Sequence, residues 1–206
     1  MRIILLFLFV LSVAAPSQVE LFRDDFSKFP PGWLSKPVGL LNGAIQEYHY
    51  LPHRGVGTFP WYNPITHNDS WVAGDEDGKT YLEQHLLHDQ PERWQPLFVT
   101  GDPLWTSYSV SAKVRPLSLA ESAGIVFRYH TNRHYYAFTI SGGRKARLAL
   151  KLPVEQKIRV VDWKELGTAD VSYDIKQYHE LKVEDDGPKM RAYFDGKPVI
   201  EASDGD

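Results

Sequence analysis

The chain has 206 residues, 43% of them hydrophobic and 24% charged, a composition that fits one globular domain and gives little reason to look for two. Lys and Arg number 23 against 26 Asp and Glu, for a net charge of -3, so the sequence lacks the positive excess with which proteins neutralise nucleic-acid phosphates. With no cysteine, a disulfide framework, a thiolate metal site and a cysteine nucleophile are all excluded.

Arg2 precedes an apolar stretch, Ile3 to Val13, that ends in Ala14-Ala15-Pro16-Ser17. A short positive region, an apolar run and small residues before a cleavage point are the layout of a secretory signal. The run is shorter than the roughly 20 apolar residues of a membrane span. Residues 1–17 are therefore expected to be a signal peptide. Residues 18–206 then form a domain exported to the extracellular space or periplasm, with no membrane anchor.

The next third of the sequence is irregular. Phe29-Pro30-Pro31-Gly32-Trp33 and Trp61-Tyr62-Asn63-Pro64 join breakers to aromatics and read as loops packed over a core. Asn68-Asp69-Ser70 is a formal glycosylation acceptor. Asp75-Glu76-Asp77-Gly78 is an acidic loop whose spacing does not match a twelve-residue calcium loop. His85 and His88 would point to opposite faces of a strand, and His49 and His53 need a fold to bring them together, so neither pair makes a metal site by spacing.

From Ser107 the pattern is that of strands. Tyr108, Val110, Ala112 and Val114 alternate with Ser107, Ser109, Ser111, Lys113 and Arg115, as in a half-buried strand. Ile125, Phe127 and Tyr129 repeat the alternation, followed by Tyr136, Phe138 and Ile140, then Leu148, Leu150 and Leu152. Tyr178 to Glu184 and Met190 to Phe194 pair through Asp185-Asp186-Gly187-Pro188, and Asp195-Gly196-Lys197 turns into a last strand. Many antiparallel strands bounded by Gly, Pro and Asp point to an all-β, two-sheet sandwich.

The hairpin from Gly124 to Phe138 carries the candidate site. A two-residue turn at Asn132-Arg133 sets Thr131 opposite His134 and Tyr129 opposite Tyr136. Ile125, Phe127, Tyr129, Tyr136, Phe138 and Ile140 then share the apolar face, and Arg128, His130 and Tyr135 share the other. A guanidinium, an imidazole and a phenol suit a glycan: aromatic faces cover a sugar ring while polar groups meet its hydroxyls. Arg128 would clamp a uronate or sulfate. The opposing reading pairs Arg128 with a neighbouring carboxylate and leaves the tyrosines at the core edge. Trp105, after Gly101-Asp102-Pro103-Leu104, either stacks on sugar or closes one end of the sandwich. Arg144, Lys145 and Arg147 form a small positive patch, a polyanion contact or a solvated turn.

Leu21-Phe22-Arg23-Asp24-Asp25-Phe26, Trp105 to Val110, Gly124 to Tyr129 with His134-Tyr135-Tyr136, and Leu181-Lys182-Val183 with Arg191 to Gly196 carry a family likeness. Over about residues 21 to 200 the sequence resembles the concanavalin A-like, laminin-G-like jelly-roll domains, in particular exported bacterial versions such as the 3-keto-disaccharide hydrolase-like group. The resemblance implies a jelly-roll sandwich. It also implies a structural calcium held near the opening strand, for which Asp24 and Asp25 are the candidates. Such domains continue past the segment like Tyr193 to Ile200 with further closing strands, whereas this sequence stops at Asp206. The resemblance thus leaves open a sandwich lacking its final strand, a piece of a longer protein with an additional domain, or another mode of closure.

The fold hosts lectins, hydrolases and lyases alike. The leading expectation is a carbohydrate-binding or accessory domain that recognises a polysaccharide or oligosaccharide on a concave sheet face through Arg128, His130, Tyr135 and Trp105. One alternative is a polysaccharide-processing enzyme. As a lyase it would use Arg128 to neutralise a uronate while Tyr135 or His130 takes the adjacent proton. As a hydrolase it would draw on Glu47, Glu76, Glu83 or Glu121, none of which falls in a compact acidic motif. A second alternative is a structural or protein-interaction sandwich. No phosphate-binding Gly-rich loop or Gly-x-Ser-x-Gly elbow is present.

Overall fold

A computed structural model of the protein describes residues 19–33, 60–61, 71–85, 96–155, 157 and 161–205. The signal-peptide assignment to 1–17, Glu47, His49, His53, Asn68-Asp69-Ser70 and His88 lie outside the described residues. Eleven strands are described, in three antiparallel sheets rather than the two expected. β1 (Gly32–Trp33), β2 (Trp71–Glu76) and β3 (Lys79–Gln84) form a small sheet in that order. β4 (Ser107–Val114), β9 (His179–Asp186), β10 (Lys189–Phe194) and β11 (Lys197–Ser203) form a second sheet ordered β11-β10-β9-β4. β5 (Ser122–Thr131), β6 (His134–Ser141), β7 (Lys145–Pro153) and β8 (Val161–Asp170) form the third, in sequence order.

The two four-stranded sheets face each other and enclose the core. Ile125, Phe127, Tyr136, Phe138, Ile140, Leu148 and Leu150 come from one; Leu181, Val183, Met190, Ala192, Phe194 and Ile200 come from the other. Each set sits at every second position of its strand, which is why apolar alternation in the sequence locates it. At the β8–β11 side the sheets close tightly: a Cβ on Gly167 would stand 2.6 Å from Cγ2 of Ile200. The acidic loop Asp75 to Gly78 is the β2–β3 turn, with Asp77 and Gly78 at positive φ and the Asp75 carboxylate accepting the Gly78 N–H at 3.0 Å. The small sheet escaped the sequence reading because its strands are six residues or fewer and mix polar with apolar residues on both faces.

A further layer lies on the outer face of the β5–β8 sheet. Leu97 and Val99 pack down onto Tyr135 and Ala137. Phe98, one residue out of phase, points away and stacks on Trp61 with ring centroids 5.2 Å apart and planes 1° from parallel. Phe29 and Trp71 also contact Phe98, and Phe26 contacts Trp61, so Phe29 and Trp61 pack into this layer, whereas Gly32-Trp33, expected as loop, pairs with β2 as strand β1.

Candidate functional site

The β5–β6 hairpin turns where expected, with Thr131 opposite His134, but its register departs from the simple ladder. Phe127 pairs with Tyr136, not Tyr129. Arg128, Tyr129 and His130 together oppose Tyr135 alone, a bulge in which Arg128 takes φ 44°. The bulge separates the residues expected on one face. Arg128 turns inward, where its guanidinium lies 5.3 Å from the centroid of the Tyr136 ring and binds Asp185 of β9. Nε donates to Oδ2 at 2.9 Å and Nη2 to Oδ1 at 2.6 Å, while Nη2 also donates to the Gly187 carbonyl. The Arg128 backbone N–H donates to the Tyr108 hydroxyl at 2.9 Å. The expectation that Arg128 and Tyr135 share a face is thus corrected, and Arg128 is committed to a carboxylate inside the sandwich.

Tyr135 instead belongs to the outer face of the β5–β8 sheet, which is built in rungs. Tyr135, Lys151 and Trp163 stand directly across β6, β7 and β8. Val126, Ala137, Ala149 and Glu165 form the next rung, and Gly124, Thr139, Arg147 and Thr168 the one after. The face therefore grades from aromatic at one end, through a floor of small side chains, to polar at the other. Trp163 is half-buried, with the Arg147 guanidinium 5.4 Å from its ring centroid. Arg147 Nε lies 3.3 Å from a Glu165 carboxylate oxygen.

The aromatic end holds an unusual cation. Lys151 is only 3% exposed, with Nζ 3.5 Å from the Tyr135 hydroxyl and within 6 Å of the Tyr135 and Trp163 ring centroids. Burial, with Arg133 nearby, lowers its ammonium to about 8. Burial also pushes the phenols of Tyr135 and Tyr129 well above their ordinary range, so Tyr135 is a hydrogen-bonding group at neutral pH and not a ready base.

The other candidates are spread apart. His130 is exposed near the hairpin tip, its ring 5.1 Å from that of His134. Trp105 is half-buried ahead of β4, its ring over Gly101 and 6.1 Å from Tyr108, at one end of the sandwich. Asp24 accepts the Phe26 N–H at 2.7 Å and the Trp61 Nε1–H at 2.9 Å, and Asp25 accepts the Ser27 N–H at 3.0 Å. They thus act as turn and loop caps. Among the described residues no three His, Asp or Glu side chains gather around a common point, and two capping carboxylates fall short of the six to eight oxygens that calcium takes. Glu76 pairs with Arg115 at 3.0 Å and Glu83 with His85 at 3.0 Å.

Trp163 and Lys151 were not singled out in the sequence, and Arg147 only as part of a charged turn. The available signal was Lys151 alternating with buried leucines in Leu148-Ala149-Leu150-Lys151-Leu152, a pattern that ordinarily marks a solvated face. Tyr135 and Trp163, which flank Lys151, pack in turn with Leu97 and Val99 of a distant segment.

No protein-family model matches the chain, and no curated protein sequence matches it. Among solved structures, carbohydrate-binding module CBM66 from Bacillus subtilis is similar over 71% of this chain and 80% of its own, with a TM-score of 0.50 and 11% identity. At that identity the likeness defines the fold: an antiparallel all-β sandwich of the kind seen in a carbohydrate-binding module. Among the described residues no helix is long and apolar enough to cross a membrane.

Proposed function

We propose that this chain is an exported carbohydrate-binding domain that holds a polysaccharide or oligosaccharide on the outer face of the β5–β8 sheet. The observation that carries the proposal is Trp163, a half-exposed indole at the edge of the part of this face that Leu97 and Val99 cover, with the Arg147 guanidinium 5.4 Å from its ring centroid and Glu165 paired to Arg147. The indole supplies a platform for the apolar face of a pyranose or furanose ring, and the guanidinium and carboxylate supply donors and acceptors for adjacent hydroxyls. Tyr135 remains in the proposal as the wall that orients Trp163, its ring edge-on to the indole at 5.8 Å. His130, exposed near the hairpin tip, and Trp105, ahead of β4, are not part of this platform, and Arg128 is a scaffold residue.

The concanavalin A-like, laminin-G-like resemblance and the leader at 1–17 belong to the same proposal and agree with an exported glycan binder. Binding is preferred to catalysis because Tyr135 holds its proton at neutral pH and Arg128 is engaged by Asp185. The fold likeness to a carbohydrate-binding module supports this reading at the level of architecture.

The test is to incubate the full chain, with and without calcium, with immobilised neutral and acidic polysaccharides. Bound fraction, new reducing ends and the absorbance of unsaturated uronates are recorded together. Binding without product, lost in Trp163→Ala, is the expected result. Binding that Trp163→Ala leaves unchanged would remove the outer face from the proposal. Accumulating reducing or unsaturated ends would replace it with an enzyme.

A further inference from the structure

The arrangement at Trp163, a part-exposed ring with a guanidinium near it and a carboxylate paired to that guanidinium, occurs a second time in the molecule. Tyr178 is 44% exposed, the most of any aromatic side chain among the described residues. The Arg115 guanidinium carbon stands 4.7 Å from its ring centroid. Arg115 Nη1 in turn donates to both carboxylate oxygens of Glu76, at 3.1 and 3.0 Å.

The two-residue period of the sheet accounts for this placement. The last β4–β9 pair is Val114 opposite His179. Val114 packs against the core and His179 is buried, so the neighbouring Arg115 and Tyr178 turn away from the core. Glu76, the last residue of β2, reaches Arg115 from the small sheet. Burial raises the Tyr178 phenol, so its hydroxyl keeps its proton at neutral pH and can donate a hydrogen bond. Tyr178, Arg115 and Glu76 line the same concavity as Trp163 and Arg147.

We propose that Tyr178, Arg115 and Glu76 form a second sugar platform, so that this protein holds a polysaccharide chain at two places. The inference rests on the reading of the chain as a glycan binder, but on residues other than Trp163. The Tyr178 ring would cover the apolar face of a sugar, and its hydroxyl would meet the polar edge. Among the described residues Arg115 bonds to Glu76 through Nη1 alone, which leaves Nε and Nη2 to donate to sugar hydroxyls. Glu76 accepts from hydroxyls in the same way. Because the guanidinium already carries its carboxylate, the platform is electrically balanced and suits an uncharged glycan. A polysaccharide that rests on Trp163 then has a second place to land within one concavity, and its second contact becomes intramolecular.

The test uses the neutral fragments cellotriose, xylotriose and mannotriose, each of which should occupy one platform at a time. Titration calorimetry of the full chain should give two bound trisaccharides per chain for at least one of them. That number should fall to one in Trp163→Ala, to one in Tyr178→Ala and to none in the double variant. The melting transition of Tyr178→Ala should not move, because the ring is on the surface. Two linked contacts bind about 10²–10⁴-fold more tightly than one, so retention on the immobilised polysaccharide should drop by at least about 100-fold in either single variant. One site per chain that Trp163→Ala abolishes would overturn the second platform and leave the first. One site that Tyr178→Ala abolishes and Trp163→Ala spares would uphold the Tyr178 platform and remove Trp163 from the function. A parent protein that binds none of the three trisaccharides would overturn the second platform as well as the first for neutral glycans.

Discussion

Arg128 on β5 and Asp185 on β9 join the two large sheets by a two-pronged ion pair, with contacts of 2.9 and 2.6 Å across the end of the core. The Asp185 side chain is 0% exposed and that of Arg128 is 16% exposed, so the carboxylate has no water to fall back on if the guanidinium is removed. Truncating Arg128 to Met leaves a buried carboxylate without its cation, which destabilises by about 3–5 kcal/mol. Replacing both partners, Arg128→Met with Asp185→Leu, should recover much of that loss, because the isolated charge is gone. Urea denaturation of the single and double variants measures both quantities. A single variant within about 0.5 kcal/mol of the parent protein would mean that the pair is not holding the sheets together.

The same residue shows where the sequence was readable and where it was not. Alternation in Ser107 to Val114 gives β4 and its core face, and the Asn132-Arg133 turn is where the hairpin reverses. Apolar residues continue at every second position through Ile125, Phe127 and Tyr129, so nothing in the pattern announces that the ladder breaks after Phe127. A bulge changes faces without changing composition. Tyr129 consequently leaves the core and stacks on Tyr135 at 6.0 Å, while Arg128 enters it. The outer-face site was hidden for a different reason. Its burial depends on Leu97 and Val99, which precede the outer-face strands by tens of residues, and a local pattern carries no information about such contacts.

Gly124 approaches the neighbouring strand too closely for any side chain. A Cβ there would lie 2.8 Å from the Thr139 Cα and closer still to the Phe138 carbonyl oxygen, both backbone atoms that a rotamer change cannot move. Gly124→Ala should therefore cost about 1–3 kcal/mol, by forcing β5 and β6 apart. Gly142→Ala is a useful contrast, because nothing lies within 4 Å of its Cβ position and its cost arises only from φ 63°. Denaturant midpoints of the two variants make the comparison. A Gly124→Ala protein as stable as its parent would show that β5 sits further from β6 than described.

Lys151 should give the protein an unusual response to alkali. Its ammonium is lowered to about 8 in the folded chain against 10.5 when free, so between these values the unfolded state binds the proton that the folded state has released. Stability therefore rises as the pH increases from about 8 towards 10, by as much as about 3 kcal/mol for the full shift. The phenols of Tyr129 and Tyr135 act in the opposite sense above pH about 10: their folded values are raised, so the unfolded state ionises first and stability falls. A maximum near pH 10 is expected in urea-melt stability. Lys151→Met should remove the rise and be the more stable protein at pH 7. A flat profile from pH 8 to 10 in the parent protein would indicate that Lys151 is not a desolvated cation.

Arg147, Glu165 and Trp163 offer a way to separate binding from folding. Arg147 and Glu165 are 36% and 53% exposed and only 3.3 Å apart at one contact, so their pair contributes little to stability and either side chain is replaceable at about 0.5 kcal/mol or less. A glycan resting on Trp163 would take over their hydrogen-bonding capacity, and each group lost on binding leaves sugar hydroxyls with fewer partners. Arg147→Ala and Glu165→Ala should therefore weaken binding of whichever polysaccharide the panel identifies by about 10-fold each, an effect of about 1.4 kcal/mol, with the melting transition unchanged. Because the two groups share one ligand, the double variant should lose less than the sum of the single losses. Titration calorimetry alongside denaturation reads both sides of the comparison. Full affinity in both single variants would place the sugar elsewhere on the molecule, whereas parallel loss of affinity and stability would mean that the pair supports the sheet and does not touch the ligand.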